Sequence, residues 1–362
     1  MAPLTQLNLQ ATKESARFEH DRQLVCCRVS HDLKFLFAAG FDGKLHRWDL
    51  KTRQHTEAAA PGGWIESMVL HPRRPELFTA DSWGNLRCWS ADKPALKPRW
   101  SIEKAHTSWL RDLAISPDGR ILASSGNDHK VRLFAAENGR PIREFTGHDS
   151  HVQSVVFSPD GKHLVSGDLH GVVRQWDLKT GRAIRTFDAS MLYKKIREYD
   201  QGGARAMTFD TSGKSLYVGG IEGTVPNQSH GNPTVIAFDW ASGKQTTVHT
   251  TKASYKGPII DLAFHPAGYL IGSGSSEAGG RLWFWKAGEA KDVHFIKHRT
   301  SFRGIGLHSV GVHLVATAFG SNSGQRGGNG RRLNKNGEYV GFGGEVVQYT
   351  LTDKAGDAKK KK

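Results

Sequence analysis

Acidic residues, cysteines and long apolar runs are all scarce in this 362-residue chain. The three cysteines, Cys26, Cys27 and Cys88, form no even set, no CxxC pair and no zinc spacing. That excludes a disulfide framework and leaves reduced core thiols as the expectation. No stretch approaches the roughly 18 apolar residues of a membrane span. The opening MAPLTQLNLQATKESARF carries no apolar segment behind a basic head, so a cytoplasmic protein is expected. A Gly-x-Ser-x-Gly elbow, an HExxH zinc helix and a phosphate-binding GxxxxGK(S/T) loop are all missing. Asp and Glu number 35 against 50 Lys and Arg, a net charge of +15. The lysine-rich segment from Lys354 onward contributes +4 of that, so the excess belongs mainly to the body of the chain. Such a field favours an acidic partner without choosing among protein, nucleic acid and membrane surface.

What is abundant is repetition. The clearest copy, GHDSHVQSVVFSPDGKHLVSGDLHGVVRQWDLKTG, runs from Gly147 to Gly181. Two alternating segments lead through a His-Gly turn into a third, and a Lys-Thr-Gly turn follows, which reads as one small antiparallel sheet. Equivalents of His148 fall at His20, Pro61, His106, Asp200, Tyr255 and His298, with successive spacings of 41, 45, 42, 52, 55 and 43 residues. The third-strand position of Trp176 is filled in turn by Trp48, Trp89, Phe134, Phe238, Trp285 and Tyr349. A ring at a fixed place in every copy is a packing requirement between neighbouring sheets.

The pattern resembles the WD-repeat family, whose four-stranded blades stack radially into a β-propeller. The resemblance implies an all-β, seven-bladed ring over residues 13–352, flanked by an N-terminal extension (1–12) and a basic C-terminal tail (353–362). The last copy supplies three strands, near 302–307, 314–318 and 345–351, and Lys13–Phe18 is expected to add the fourth and close the ring. It also implies a hydrogen-bond chain of His, Asp, Ser or Thr, and Trp within a repeat. That chain maps onto His20, Asp42 and Trp48 with Ala38 at the hydroxyl position, and onto His106, Ser124 and Asp128 with Phe134 in place of Trp. In the fourth copy it maps onto His148, Ser166 and Trp176, with His170 where the Asp belongs.

Ser, His and Asp in one repeat invite comparison with a hydrolase triad, but Ser124 and Ser166 lie inside strands rather than on an exposed elbow. No catalytic residue, cofactor or metal is expected. In a propeller of this family, positions three and five places after the repeat opening face the top and the central channel. These positions gather Trp64, Trp109 and His151 with Glu66, Arg111, Gln153, Arg205 and Arg303. Three long insertions, 187–204, 221–233 and 320–343, fall in loops of the same face, and the last carries Arg326, Arg331 and Arg332. Loops lengthened on one face are where repeat proteins build recognition. The expectation is a non-enzymatic, monomeric scaffold that binds an acidic protein or peptide on its top face. The alternative is a nucleic acid or another phosphate-bearing partner on the same loops, and a propeller hydrolase ranks last.

Overall fold

The computed structural model describes residues 3–196, 198–223, 231–253, 255–276, 279–319, 332–333, 339–340 and 343–353. Among them are seven four-stranded antiparallel sheets. Blade four shows how one is built. Val152–Phe157, His163–Asp168, Val172–Asp177 and Ala183–Asp188 pair in sequence order. Gly161, at φ +69°, makes the tight turn between the first two strands, where the Ser158 hydroxyl donates to Asp160 and a Cβ would be strained. The second strand is buried along most of its length, whereas the fourth is largely exposed.

The burial of middle strands on both faces follows from the ring. Innermost strands Leu24–Val29, Ile65–Leu70, Leu110–Ile115, Val152–Phe157, Ala206–Phe209, Ile259–His265 and Ser301–Leu307 touch their neighbours in one closed round. Seven apolar clusters lie between successive blades. One joins Phe37 and Leu45 of blade one to Ile65 and Trp89 of blade two. Another joins Val315 and Val346 of the last blade to Leu24 and Leu36 of the first. Every third-strand ring is buried in one of these seams: Trp48, Trp89, Phe134, Trp176, Phe238, Trp285 and Tyr349. No sheet could cover its own faces, so the blades are stable only together.

The seventh sheet contains a strand from the start of the chain. Lys13–His20 lies antiparallel to Gly344–Thr350, which pairs with His313–Phe319 and then Ser301–Leu307. Phe18 is buried there and Arg17 forms an ion pair with Glu345 at 2.9 Å. Leu4, Leu7 and Leu9 pack against the cluster between blades six and seven, so the N-terminal extension rests on the ring. Residues 354–362 of the basic tail lie outside the described residues.

Candidate functional site

The loops joining second to third strands meet the starts of the inner strands at one end of the ring, here called the top. Ser82, Asn127 and Leu169 donate backbone hydrogen bonds to the carbonyls of Trp64, Trp109 and His151 at 2.8, 2.9 and 2.9 Å. Two residues further on, most inner strands bulge. The register shifts around Val25, Glu66, Arg111, Gln153, Ile260 and Arg303. A bulge takes a residue out of the ladder and re-aims its side chain. Here it turns six positions toward the axis, and together with Arg205 they line a central cavity of about 330 Å³.

Four arginines, Arg28, Arg111, Arg205 and Arg303, line the cavity with three carboxylates, Glu66, Asp112 and Asp261. Arg111 donates from Nε to Asn127 Oδ1 at 2.7 Å and lies 4.9 Å from the Trp109 ring centroid. Arg303 lies 5.6 Å from the Phe41 ring centroid and 5.0 Å from that of Phe319. Arg205 remains accessible to solvent within the channel, and its side chain has no hydrogen-bond or ion-pair partner among the described residues. Surrounding protein, then the positive charges of Arg111 and Arg303, pull its pKa down to about 10. Water reaches the guanidinium although protein encloses it, as expected of a side chain deep in a solvent-filled pore. Burial likewise lowers Arg111 and Arg303, against the pull of Glu66. Burial raises the Glu66 carboxyl, with Arg111 and Arg303 opposing. No ion pair joins Glu66 to either arginine among the described residues, so the three cations are not neutralised by direct contact.

The structure sets the arginines one step deeper than the tryptophans, with Arg111 bridging the two levels through its contact with the Trp109 ring. Trp64 and Trp109 stand at the mouth, 43% and 37% exposed, in edge contact with centroids 5.8 Å apart. With Phe41 and Trp83 they line a shallow cleft between blades one, two and three. Trp83, 67% exposed, is absent from the sequence-derived set. Its signal was a large apolar ring inside the polar turn Asp81–Asn85. His151 lies on the blade-four side of the mouth, its ring 5.5 Å from that of His129. Arg326 and Arg331 lie outside the described residues, and Arg332 begins a two-residue strand paired with Tyr339–Val340.

Below the rim, blade four carries the complete hydrogen-bond chain, with Asp168 rather than position 170 as its acid. Trp176 Nε1 donates to Ser166 Oγ at 2.8 Å, and Ser166 meets His148 Nε2 at 2.7 Å. His148 Nδ1 meets Asp168 Oδ2 at 2.8 Å. Asp168 ends the second strand and turns its other oxygen onto the N–H groups of His170 and Val172. Blade three keeps the first three members, with His106 bonded to Asp128 and Ser124 at 2.8 Å each. Blade two uses other groups: Arg87 reaches Asp81 at 2.8 Å and the Pro61 carbonyl, while Trp89 donates to Thr79 at 2.9 Å. The family model described as "WD domain, G-beta repeat" matches residues 13–49, 97–134 and 139–177. The chain is a WD-repeat β-propeller.

Curated relatives match this WD-repeat protein over about a third of its length. The U3 snoRNP-associated protein-like EMB2271 of Arabidopsis thaliana is 30% identical over 125 residues, 34% of this chain and 25% of that protein. Cilia- and flagella-associated protein 52 of Chlamydomonas reinhardtii is 27% identical over 129 residues, 35% and 20% respectively. WD repeat-containing protein slp1 of Schizosaccharomyces pombe is 25% identical over 104 residues, 28% and 21%. The aligned part thus spans a quarter or less of each of these relatives. Among the described residues no helix of the propeller is long and apolar enough to cross a membrane.

The first insertion folds as a hairpin, Tyr193–Ile196 against Tyr199–Gly202, between blades four and five, touching Ser215–Glu222 of blade five and His170 of blade four. Tyr193 donates to Asp200 at 2.8 Å and its ring lies 4.8 Å from that of His170. Histidines at the opposite end do structural work. His265 Nε2 donates to the Gly311 carbonyl, His308 to that of His31, and His31 to that of His71, at 2.8, 3.1 and 2.9 Å. These bonds tie blades six, seven, one and two in succession.

Proposed function

We propose that this propeller is a non-enzymatic scaffold that seats an acidic protein segment across its top, with carboxylates entering the channel and an apolar residue resting on the tryptophan rim. The WD-repeat propeller is a fold suited to protein interaction, and the acidic character of the partner is the finer reading added here. The observation that carries it is the cation cluster of Arg111, Arg205 and Arg303 on the channel wall, where Glu66 faces them while the other lining carboxylates, Asp112 and Asp261, are held by the backbone N–H groups of Val155 and Ile305. Planar guanidinium groups bind carboxylates through paired, charge-assisted hydrogen bonds, and desolvation in the channel strengthens each one. Exposed Trp64, Trp83 and Trp109 supply the apolar anchor that charge alone lacks. The hydroxyls of Ser124 and Ser166 are fully buried and engaged with histidine, which supports a non-catalytic role for the Ser-His-Asp sets.

A second reading, a nucleic-acid partner, draws on the net charge of +15, on Lys194 and Lys195 beside exposed Tyr199, and on a relative whose name associates it with a snoRNP. Affinity capture from native lysate, with and without nuclease, separates the two. Under the first reading, proteins captured by wild type survive nuclease and are lost with the Arg111→Gln, Arg205→Gln, Arg303→Gln variant. Capture that disappears with nuclease for both proteins overturns it in favour of the second.

A further inference from the structure

We propose that the top of blade one holds a divalent transition-metal ion, zinc by preference, on His20 Nε2, His46 Nε2 and Asp42 Oδ2. Neither the family resemblance nor the partner-binding reading calls for such a site. His20 ends the N-terminal strand, Asp42 lies in the loop between the second and third strands of blade one, and His46 is on that third strand. His46 Nε2 lies 2.8 Å from Asp42 Oδ2 and His20 Nε2 lies 3.1 Å from the same oxygen. The three ligand atoms are all within 4.8 Å of one another. Atoms held at about 2.0–2.2 Å from a tetrahedral zinc sit roughly 3.3–3.6 Å apart, so the two nitrogen–oxygen contacts would open by a few tenths of an ångström as the ion enters.

The surroundings suit a ligand set better than an eroded copy of the repeat's usual chain. His106 and His148 point Nδ1 at their aspartates and Nε2 at a serine. His20 has no serine, because Ala38 fills that position, and it points Nε2 at Asp42 instead. A second imidazole, His46, then converges on the same oxygen. The His46 side chain is fully buried, and those of His20 and Asp42 are 12% and 11% exposed. Asp42 Oδ1 is fixed by the Lys44 N–H at 3.1 Å. His46 Nδ1 lies 3.0 Å from His55 Nε2. When His46 Nε2 loses its proton to a metal, Nδ1–H can donate to His55, the outer contact that fixes tautomer and ring orientation in histidine metal sites.

A fourth ligand is within reach. Asp21 Oδ1 lies 3.3 Å from His20 Nε2 on an exposed side chain, and either it or water can complete the tetrahedron. The neighbouring trio of His46, His55 and Glu57 is the weaker choice, because Glu57 is already paired with Lys44. An ion on the proposed ligands would tie the N-terminal strand of the seventh sheet to blade one, across the seam where the ring begins.

The test uses the full chain after chelation and dialysis, titrated with Co²⁺ alone and followed by visible ligand-field absorption, then displaced with Zn²⁺. The expected result is one equivalent bound with the intense absorption of a tetrahedral site, and a melting temperature that rises until that equivalent is reached. His20→Gln and Asp42→Asn keep hydrogen-bonding groups in place and should each weaken binding at least about tenfold. His55→Ala, at an exposed position, should weaken it while leaving the fold intact, and His163→Gln on blade four should change nothing. The proposal is overturned by no tetrahedral spectrum in wild type, or by equal Co²⁺ binding in wild type, His20→Gln and Asp42→Asn.

Discussion

Replacing Ser166 with Ala should destabilise the propeller out of proportion to the single oxygen removed. The hydroxyl is fully buried and is the hydrogen-bond partner of two groups: Trp176 Nε1, which donates to it, and His148 Nε2, which accepts from it. An unmatched buried polar group costs about 1–3 kcal/mol, and the substitution strands two, so a loss of about 2–6 kcal/mol is expected. Trp176→Phe copies what blade three has at Phe134. It removes one of the stranded groups together with some ring volume. The double variant should therefore lose less than the sum of the singles, with a coupling of about 1 kcal/mol. Urea denaturation followed by far-ultraviolet circular dichroism gives all four values. A loss below about 0.5 kcal/mol for Ser166→Ala, the range of an ordinary surface change, would refute the reasoning.

Deleting residues 1–19 removes most of the strand paired with Gly344–Thr350, buried Phe18 and the Arg17–Glu345 ion pair. Burial of Phe18 alone contributes about 1.5–3 kcal/mol, so the melting temperature should fall clearly; an unchanged value would show that the ring does not depend on this strand. Burial lowers the pKa values of His265 and His308, whose ring nitrogens tie blades six, seven and one. The unfolded chain therefore binds more protons, and stability should fall as pH drops below about 6.5. Asp112, pushed up to about 6 by burial, works the other way, gaining stability as pH falls through 6, so the decline should flatten in more acid solution. Denaturation at pH 7.5, 6.5 and 5.5 checks the sign, and a rise in stability over that interval would contradict it. Trp64→Ala and Trp109→Ala should each cost no more than about 2 kcal/mol, less than the roughly 3–5 kcal/mol of a fully buried Trp, because both rings are only partly covered. Each should weaken binding of an acidic, aromatic-containing peptide about tenfold or more, and unchanged affinity would remove the tryptophans from the site.

The ring was readable from the sequence because every copy repeats the same two-residue alternation and places one aromatic in its third strand. Those are local signals, and the inter-blade seams that bury Trp48 through Tyr349 follow from them. Two features were not readable. The acid of blade four sits two residues earlier than ungapped counting allows, because Asp168 closes its strand and caps the following turn with its own carboxylate. Counting from the repeat opening cannot detect a change of turn. The arginines five places after the repeat opening were expected to face the top and the central channel beside the tryptophans, and Arg111 does lie against Trp109. What the sequence does not show is the bulge at Glu66, Arg111 and Arg303 that re-aims each residue toward the axis, since nothing in the side-chain pattern announces a bulge. The blade-one histidines were likewise invisible as a group, since His20, His46 and His55 come from three strands whose pairing brings them together.

The scaffold reading is tested most directly by equilibrium binding to an immobilised peptide array, using wild type and the Arg111→Gln, Arg205→Gln, Arg303→Gln variant. The array carries peptides with two or more carboxylates beside an aromatic residue, the same peptides with lysine in place of each carboxylate, and single-stranded RNA. The account predicts that wild type retains acidic peptides, rejects their lysine counterparts, and loses the acidic peptides when the three channel cations are removed. Equal retention by the two proteins, or retention of RNA alone, would contradict it.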